Sequence, residues 1–352
     1  MFEDFKIYLE NRKKNKLYRE IPKPQGLDFY SNDYLNLSAH PQIKEDLAQA
    51  LKNGSGLSAK ASPLLGGAGD CHNQAEQELK KFINRPAILT FSSGYQANLG
   101  LIPALAQGRV IFSDELNHAS LIDGIRLSHS PYHIFRHNDL NHLEELLKKT
   151  QQKKIIITES LFSMAGDFCP LEELSDLALK YQALLFIDEA HSTGLFGKHL
   201  GGRVSALKQK DHILTVHTGG KALASFGAFA GSSLLLKKYL INNCRSFIYS
   251  TAPPPLLMHQ WLSVLKILKK ESHRAKTLKH IALLTRKEFS LPETESPILF
   301  IALKSAQQAL KISQKLKKIG YFIPAIRWPT VPKDKQGLRL SLHFDHSWEQ
   351  LQ

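Results

Sequence analysis

Hydrophobic residues along this chain follow two rhythms. One is a set of short, unbroken apolar runs: AILTF (87–91), RVIF (109–112), IIIT (155–158) and LLFID (184–188). Such runs read as strands buried on both faces. The other rhythm is the spacing of amphipathic helices, as in NHLEELLKK (141–149) and LEELSDLALKYQ (171–182). The second of these follows Pro170, a helix-start signal. Strands alternating with helices predict an α/β fold built on a mainly parallel, wound sheet. Ligands of such sheets bind beyond the carboxyl ends of the strands. Chemistry is therefore sought in the residues that follow these runs.

The two ends of the chain read differently. Residues 1–30 are polar and basic, with Phe2, Phe5, Ile7 and Leu9 near the start and PKP at 22–24. This predicts a helix followed by a connecting arm. The stretch WLSVLKILKKESHRAKTLKHIALLTRKEF (261–289) has apolar residues at helical spacing and charge opposite, which predicts one or two long surface helices. SPILFIAL (296–303) reads as a strand, AQQALKISQKLKKIG as a helix ending at Gly320, and GLRLSLHF alternates like a strand. The expected organisation is an N-terminal helix and arm (1–40), a large α/β domain (41–250) and a small α+β C-terminal domain (251–352).

Composition narrows the function. No apolar run approaches the ~20 residues of a membrane span. The first residues, MFEDFKIYLENRKKNK, are acidic before they are basic and lack the apolar core of a secretory signal. Cys71, Cys169 and Cys244 are few and far apart, which suits a reducing cytoplasm and gives neither a disulfide framework nor a metal motif. The net charge is +14, and residues 198–290 hold 16 Lys/Arg against three acids. A basic balance points to nucleic acid, a membrane surface or an anionic substrate or partner. Zinc-finger spacing, aromatic RNA-binding motifs and a basic zipper are all missing, so nucleic acid is a distant reading.

Five segments carry candidate chemistry. LLFIDEAHSTG ends an apolar strand in Asp188, with His191 three residues on. A carboxylate there can hold a metal, act as a base or pair with a cationic ring nitrogen. VHTGGKALASFGAFAG places Lys221 among small residues, with Thr218 three before it. Desolvation lowers the pKa of such a lysine and makes it a candidate Schiff-base amine. FSSGYQANLG passes from a strand through Gly94 and Tyr95 into a helix, whose first N–H groups can bind phosphate. Finally, SDELNHASLIDG and ESLFSMAGD place His118 and Ser163 in loops after strands.

Taken in chain order, the Gly94 helix start, His118, Asp188 with His191, and Thr218-x-x-Lys221 resemble the fold-type-I pyridoxal-phosphate enzymes, and most closely the α-oxoamine synthases. That family joins an amino acid to an acyl thioester with loss of carbon dioxide. SNDYLNLSAHP, SDELNHASLIDG, ESLFSMAGD, DEAHSTG, TGGKAL and YSTAPPP all look like its sequence blocks, and the likeness spans about residues 17–345. The block PAIRWPTVP, followed by GLRLSL, is similar to the branch that uses L-alanine and a pimeloyl thioester carried by coenzyme A or an acyl carrier protein. Sister branches using glycine or serine share the central motifs.

The resemblance implies a role for each residue. Lys221 would carry pyridoxal 5'-phosphate and move protons, and Asp188 would pair with its ring nitrogen. His191 and Ser163 would bond the ring's 3-oxygen, and His118 would stack on its face. Gly94, Tyr95 and Thr218 would hold the phosphate, with Thr251 arriving from a second subunit of a homodimer. Arg327 would grip the amino-acid carboxylate and Thr330 would line the substrate pocket. Arg19 would touch substrate, with Tyr18 competing for the place. The chain departs from the family at Ala61–Ser62–Pro63, at the short segment between Pro24 and Tyr30, and at Ala224, where glycine is expected. Alanine is free of strain there unless its φ is positive.

Overall fold

The computed structural model describes residues 1–15, 17–23, 25–332 and 335–351. Pro24, at the end of the PKP run, lies outside the described residues. In chain order the strands are β1 (Leu27–Asp28), β2 (Ala87–Phe91), β3 (Arg109–Asp114), β4 (Tyr132–Phe135), β5 (Lys153–Glu159) and β6 (Ala183–Asp188). They continue with β7 (Ile213–Thr218), β8 (Ala228–Ser232), β9 (Ile298–Ala302), β10 (Tyr321–Phe322), β11 (Ala325–Ile326) and β12 (Gly337–Ser341). Seven of them form one sheet in the order β2-β8-β7-β6-β5-β3-β4. β8 alone runs against its neighbours, so the sheet is mainly parallel.

Both faces of this sheet are covered, which explains why its strands do not alternate in sequence. Leu89, Ile111, Ile155, Ile157, Phe186 and Leu214 pack on one side with Leu101 and Leu105 of helix Gly94–Ala106. Val110, Phe112, Ile156, Leu185 and Ile187 pack on the other side with Leu143 and Leu174 from helices Leu140–Lys148 and Leu171–Lys180. β4, β7 and β8 were not foreseen. β8 reads AFAGS, too small-sided and short to announce itself, yet all five residues are buried.

A second, three-stranded antiparallel sheet has the order β11-β12-β9. β1 pairs in parallel with β10, so the N-terminal arm is tied to the C-terminal part of the chain. The segment 261–289 is two helices, Pro255–Lys270 and His273–Glu288. The first is not a surface helix. It buries Met258, Trp261, Val264 and Leu268, and Trp261 meets Phe229 of β8 edge-on. The charged ends of its lysines hid a broad apolar stripe. We propose the division into 1–40, 41–250 and 251–352 expected from the sequence, with this helix as the bridge between the last two parts.

Candidate active site

The carboxyl ends of β3, β5, β6 and β7 converge on one place, because parallel neighbours end side by side. Glu159 and Asp188 are direct register partners at the ends of β5 and β6. Asp188 is buried, and both of its oxygens are held: Oδ1 accepts from the Ala190 N–H at 2.9 Å and Oδ2 from Asn98 Nδ2 at 2.9 Å. Lys221 follows β7, and its pKa is lowered. Burial is the largest cause; Asp188 and Glu159 oppose it, and the Arg339 cation adds to it. An amine in this setting loses its proton more readily than a lysine in water.

Two histidines flank the lysine. His118 donates its backbone N–H to Glu159 Oε1 at 2.7 Å, and its Nδ1 accepts the Ser120 N–H at 3.2 Å. That leaves Nε2 to carry the ring proton. His191 is buried with Nδ1 2.7 Å from the Tyr34 hydroxyl oxygen. Burial, then the Lys221 and Arg339 cations, hold the His191 pKa well below the ordinary range, so the ring is neutral. Burial, with Asp188 nearby, raises the Glu159 pKa.

Gly94 opens its helix against Thr218, where a Cβ would lie only 2.5 Å from Thr218 Cγ2. The Ser93 hydroxyl caps Gln96 N at 3.1 Å. Gly94 and Tyr95 are the first two residues of this helix, so their N–H groups have no acceptor within it. Thr218 Oγ1 is buried without a partner. An orphaned hydroxyl beside free helix N–H groups fits a phosphate ester. Lys221, Asp188 and this cradle together fit pyridoxal phosphate.

The other expected residues stand on loops and cavity walls. Ser163 sits at the tip of the loop after β5, and its carbonyl accepts from Arg339 Nε at 2.7 Å. Thr251 is exposed and borders a small cavity with Ser92 and Gln96. Arg19, Tyr18, Arg327 and Thr330 line a cavity of about 640 Å³. Arg327 Nη2 donates to the Tyr18 carbonyl at 3.4 Å. Burial lowers the Arg327 pKa, and the Arg19 and Arg12 cations add to this.

Arg339, not Arg327, is the arginine whose charge bears on Lys221 and His191. It is 5% exposed and hydrogen-bonds Ser341 Oγ at 2.6 Å and Asn32 Oδ1 at 3.1 Å. Among the described residues no carboxylate pairs with it. Sequence reasoning passed over Arg339, Asn32, Tyr34 and Asn98. An arginine set between leucines in the alternating run GLRLSL was the available signal for the first. The SNDY block held the next two, and Asn98 interrupts an otherwise apolar helix.

Comparison with known proteins follows the same line. Residues 24–352 match the family described as aminotransferase class I and II. A putative 8-amino-7-oxononanoate synthase of Aquifex aeolicus is 38% identical over 354 residues, covering 98% of this chain and 94% of that protein. A solved 8-amino-7-oxononanoate synthase from Francisella tularensis superposes with a TM-score of 0.80 at 30% identity, covering 93% of this chain and 94% of its own. The serine palmitoyltransferase of Sphingomonas wittichii superposes with a TM-score of 0.91 at 25% identity, covering 100% of this chain and 95% of its own. The chain thus belongs to the class I and II aminotransferases and is a fold-type-I, pyridoxal-phosphate-dependent enzyme. Within that class it belongs to the 8-amino-7-oxononanoate synthase family of acyltransferases.

Proposed function

We propose that this enzyme condenses L-alanine with a pimeloyl thioester, releasing the thiol and carbon dioxide, to give the biotin precursor 8-amino-7-oxononanoate. The observation that carries the reading is Arg339, a buried cation beside Lys221 with no carboxylate partner among the described residues. A guanidinium in that state grips an amino-acid carboxylate, because its planar fork matches the two oxygens. Arg327, with Arg19, serves the outer cavity instead, where the anionic parts of the acyl donor enter.

Pyridoxal phosphate, when bound, supplies an electron sink for the bond changes at the alanine α-carbon. Asp188, oriented by Asn98 and the Ala190 N–H, keeps the ring nitrogen protonated. Thr218 and the Gly94 and Tyr95 N–H groups hold the phosphate. His118 supports the ring face, and His191 and Ser163 address the 3-oxygen. Lys221, its basicity reduced by burial, holds the cofactor, removes the α-proton of alanine and later returns a proton to the product.

We further propose a homodimer in which Thr251 completes the phosphate site of the other subunit. Leu65, Phe226 and Tyr249 are large side chains left exposed on the single chain, which supports this. The acyl carrier is coenzyme A or an acyl carrier protein. Among the described residues, no helix is long and apolar enough to cross a membrane.

The test is a matrix of purified enzyme with alanine, glycine or serine against pimeloyl-, acetyl- or succinyl-coenzyme A. Turnover with alanine and pimeloyl-coenzyme A is expected. Activity confined to glycine overturns the reading in favour of a sister synthase.

A further inference from the structure

His137 lies just beyond β4, outside the residues described so far. Its ring is held at both ends: Nδ1 is 2.9 Å from Asp114 Oδ1 and Nε2 is 2.5 Å from Asp167 Oδ2. With both carboxylates ionised, both ring nitrogens donate, which only the imidazolium can do. Burial pulls the pKa of His137 down, but hydrogen bonds to Asp114 and Asp167 and their charges outweigh it and raise the value to about 9. Phe162 stands edge-on to the ring, with centroids 4.4 Å apart.

Other polar groups surround the ring, among them Asn138 Nδ2, which lies 3.2 Å from His137 Nε2. The His137 N–H donates to the Glu115 carboxylate at 3.0 Å. The Asn138 N–H donates to Asp114 Oδ2 at 3.0 Å, and Asn138 Nδ2 donates to Asp167 Oδ2 at 3.1 Å. Arg136 is engaged by Asp139 at 2.7 Å, and His142 Nδ1 accepts the Arg136 N–H at 3.0 Å. Arg286, from helix His273–Glu288, feels the Asp167 charge.

What His137 joins is significant. Asp114 ends β3 and leads directly into Glu115, Leu116 and Asn117. Asp167 closes the neck of the loop after β5, where Leu161 bridges to Phe168 and Phe162 N donates to the Asp167 carbonyl at 2.9 Å. The tip of that loop reaches the small sheet: Gly166, at φ +70, sits so close to Ile298 that a Cβ would lie 2.0 Å from its carbonyl oxygen. Between these two segments lies a cavity of about 550 Å³, lined by Leu116, Phe162, Ser163, Met164, Phe300 and Thr330 among others. A mostly apolar wall suits an aliphatic chain.

We propose that this cavity takes the acyl chain of the thioester, and that His137 is a positioning residue that sets the spacing of its two walls by joining Asp114 to Asp167. The inference rests on the acyltransferase reading. His137 acts through Asp167, Phe162 and the loop, without touching the reacting atoms.

The test compares wild-type holoenzyme with His137→Gln and Asp167→Asn. Alanine binding, followed by the absorbance change it causes, is expected to stay within about twofold, while the KM for pimeloyl-coenzyme A rises about tenfold. In the wild type, kcat/KM for pimeloyl-coenzyme A falls as pH rises through about 9, and in Asp167→Asn the fall moves to lower pH because one carboxylate is lost. Asp167 is 35% exposed and the amide keeps its shape, so this variant carries the test if His137→Gln does not fold. An unchanged KM for the acyl donor, or an equal loss of alanine affinity, overturns the role of His137. A wild type that binds alanine but never turns over pimeloyl-coenzyme A overturns the acyltransferase reading itself.

Discussion

Gly94 and Thr218 touch so closely that one methyl group would not fit: a Cβ on the glycine would meet Thr218 Cγ2 at 2.5 Å. The contact sets the helix start directly against the unpartnered Thr218 hydroxyl. Gly94→Ala must push the two apart, at a cost of about 1–3 kcal/mol for overpacking. The expected result is weaker cofactor retention, measured as pyridoxal phosphate lost on dialysis, by about tenfold or more in Kd. Full retention would show that the phosphate is held elsewhere.

Arg339 and Arg327 should separate kinetically. Arg339→Lys keeps the charge but loses the fork that binds a carboxylate at two points. The affinity for alanine should fall by about tenfold to a hundredfold, in line with ~1.5–3 kcal/mol for a charged hydrogen bond. Arg327→Lys should instead raise the KM for the acyl donor. If the two variants exchange these phenotypes, Arg327 is the carboxylate anchor that the sequence first suggested.

Glu159 accepts the His118 N–H from a buried carboxyl whose pKa is raised by desolvation. A carboxyl inclined to be neutral is well mimicked by an amide. Glu159→Gln should therefore fold and turn over within about fivefold of wild type, whereas Glu159→Ala strands a buried donor at a cost of about 1–3 kcal/mol and frees His118. Circular dichroism melts and kcat for the pair check this. An inactive Glu159→Gln would mean that the charge itself is used.

The pH dependence of stability has a defined sign at His137. Its folded pKa is raised to about 9, above the ordinary ~6.5 of the unfolded chain. Its contribution is complete below about pH 6.5 and is lost as pH rises through about 9, a span worth on the order of 3 kcal/mol. Urea unfolding at pH 6.5, 8 and 9.5 should show the wild type weakening across this window and His137→Gln weakening less. Parallel slopes would place the titration on another group.

Ala224 adopts φ +42 in the turn after Lys221, where its N–H donates to the Lys221 carbonyl at 2.8 Å. This is the condition under which alanine is strained. Left-handed backbone costs an L-residue about 1–2 kcal/mol, and glycine returns roughly 0.5–1 kcal/mol of that as unfolded-state entropy. Ala224→Gly should raise stability by about 0.5 kcal/mol or leave it level, read from the urea midpoint. A clear loss would show that the Ala224 methyl packs usefully.

Six strands, β2, β3, β5, β6, β9 and β12, the mainly parallel sheet and the order of the chemical residues are legible in the chain alone. Buried runs such as IIIT and LLFID are intrinsic to the chain, and Lys221, Asp188 and His118 sit in blocks whose local pattern is informative. Tertiary structure decided everything that depends on residues far apart in the chain. The Arg339 charge reaches Lys221 only because the fold sets β12 against the loop after β5, where Arg339 Nε meets the Ser163 carbonyl, while Arg327, twelve positions earlier, lines the cavity shared with Tyr18 and Arg19. The helix Pro255–Lys270 is buried because two helices from far earlier in the chain, Pro41–Lys52 and Asp70–Phe82, close over its apolar stripe. His137 is charged because the folding of two distant loops places Asp114 and Asp167 on opposite sides of one ring. Local propensity and burial can be read from neighbours in sequence. Charge, pKa and pocket shape are set by neighbours in space.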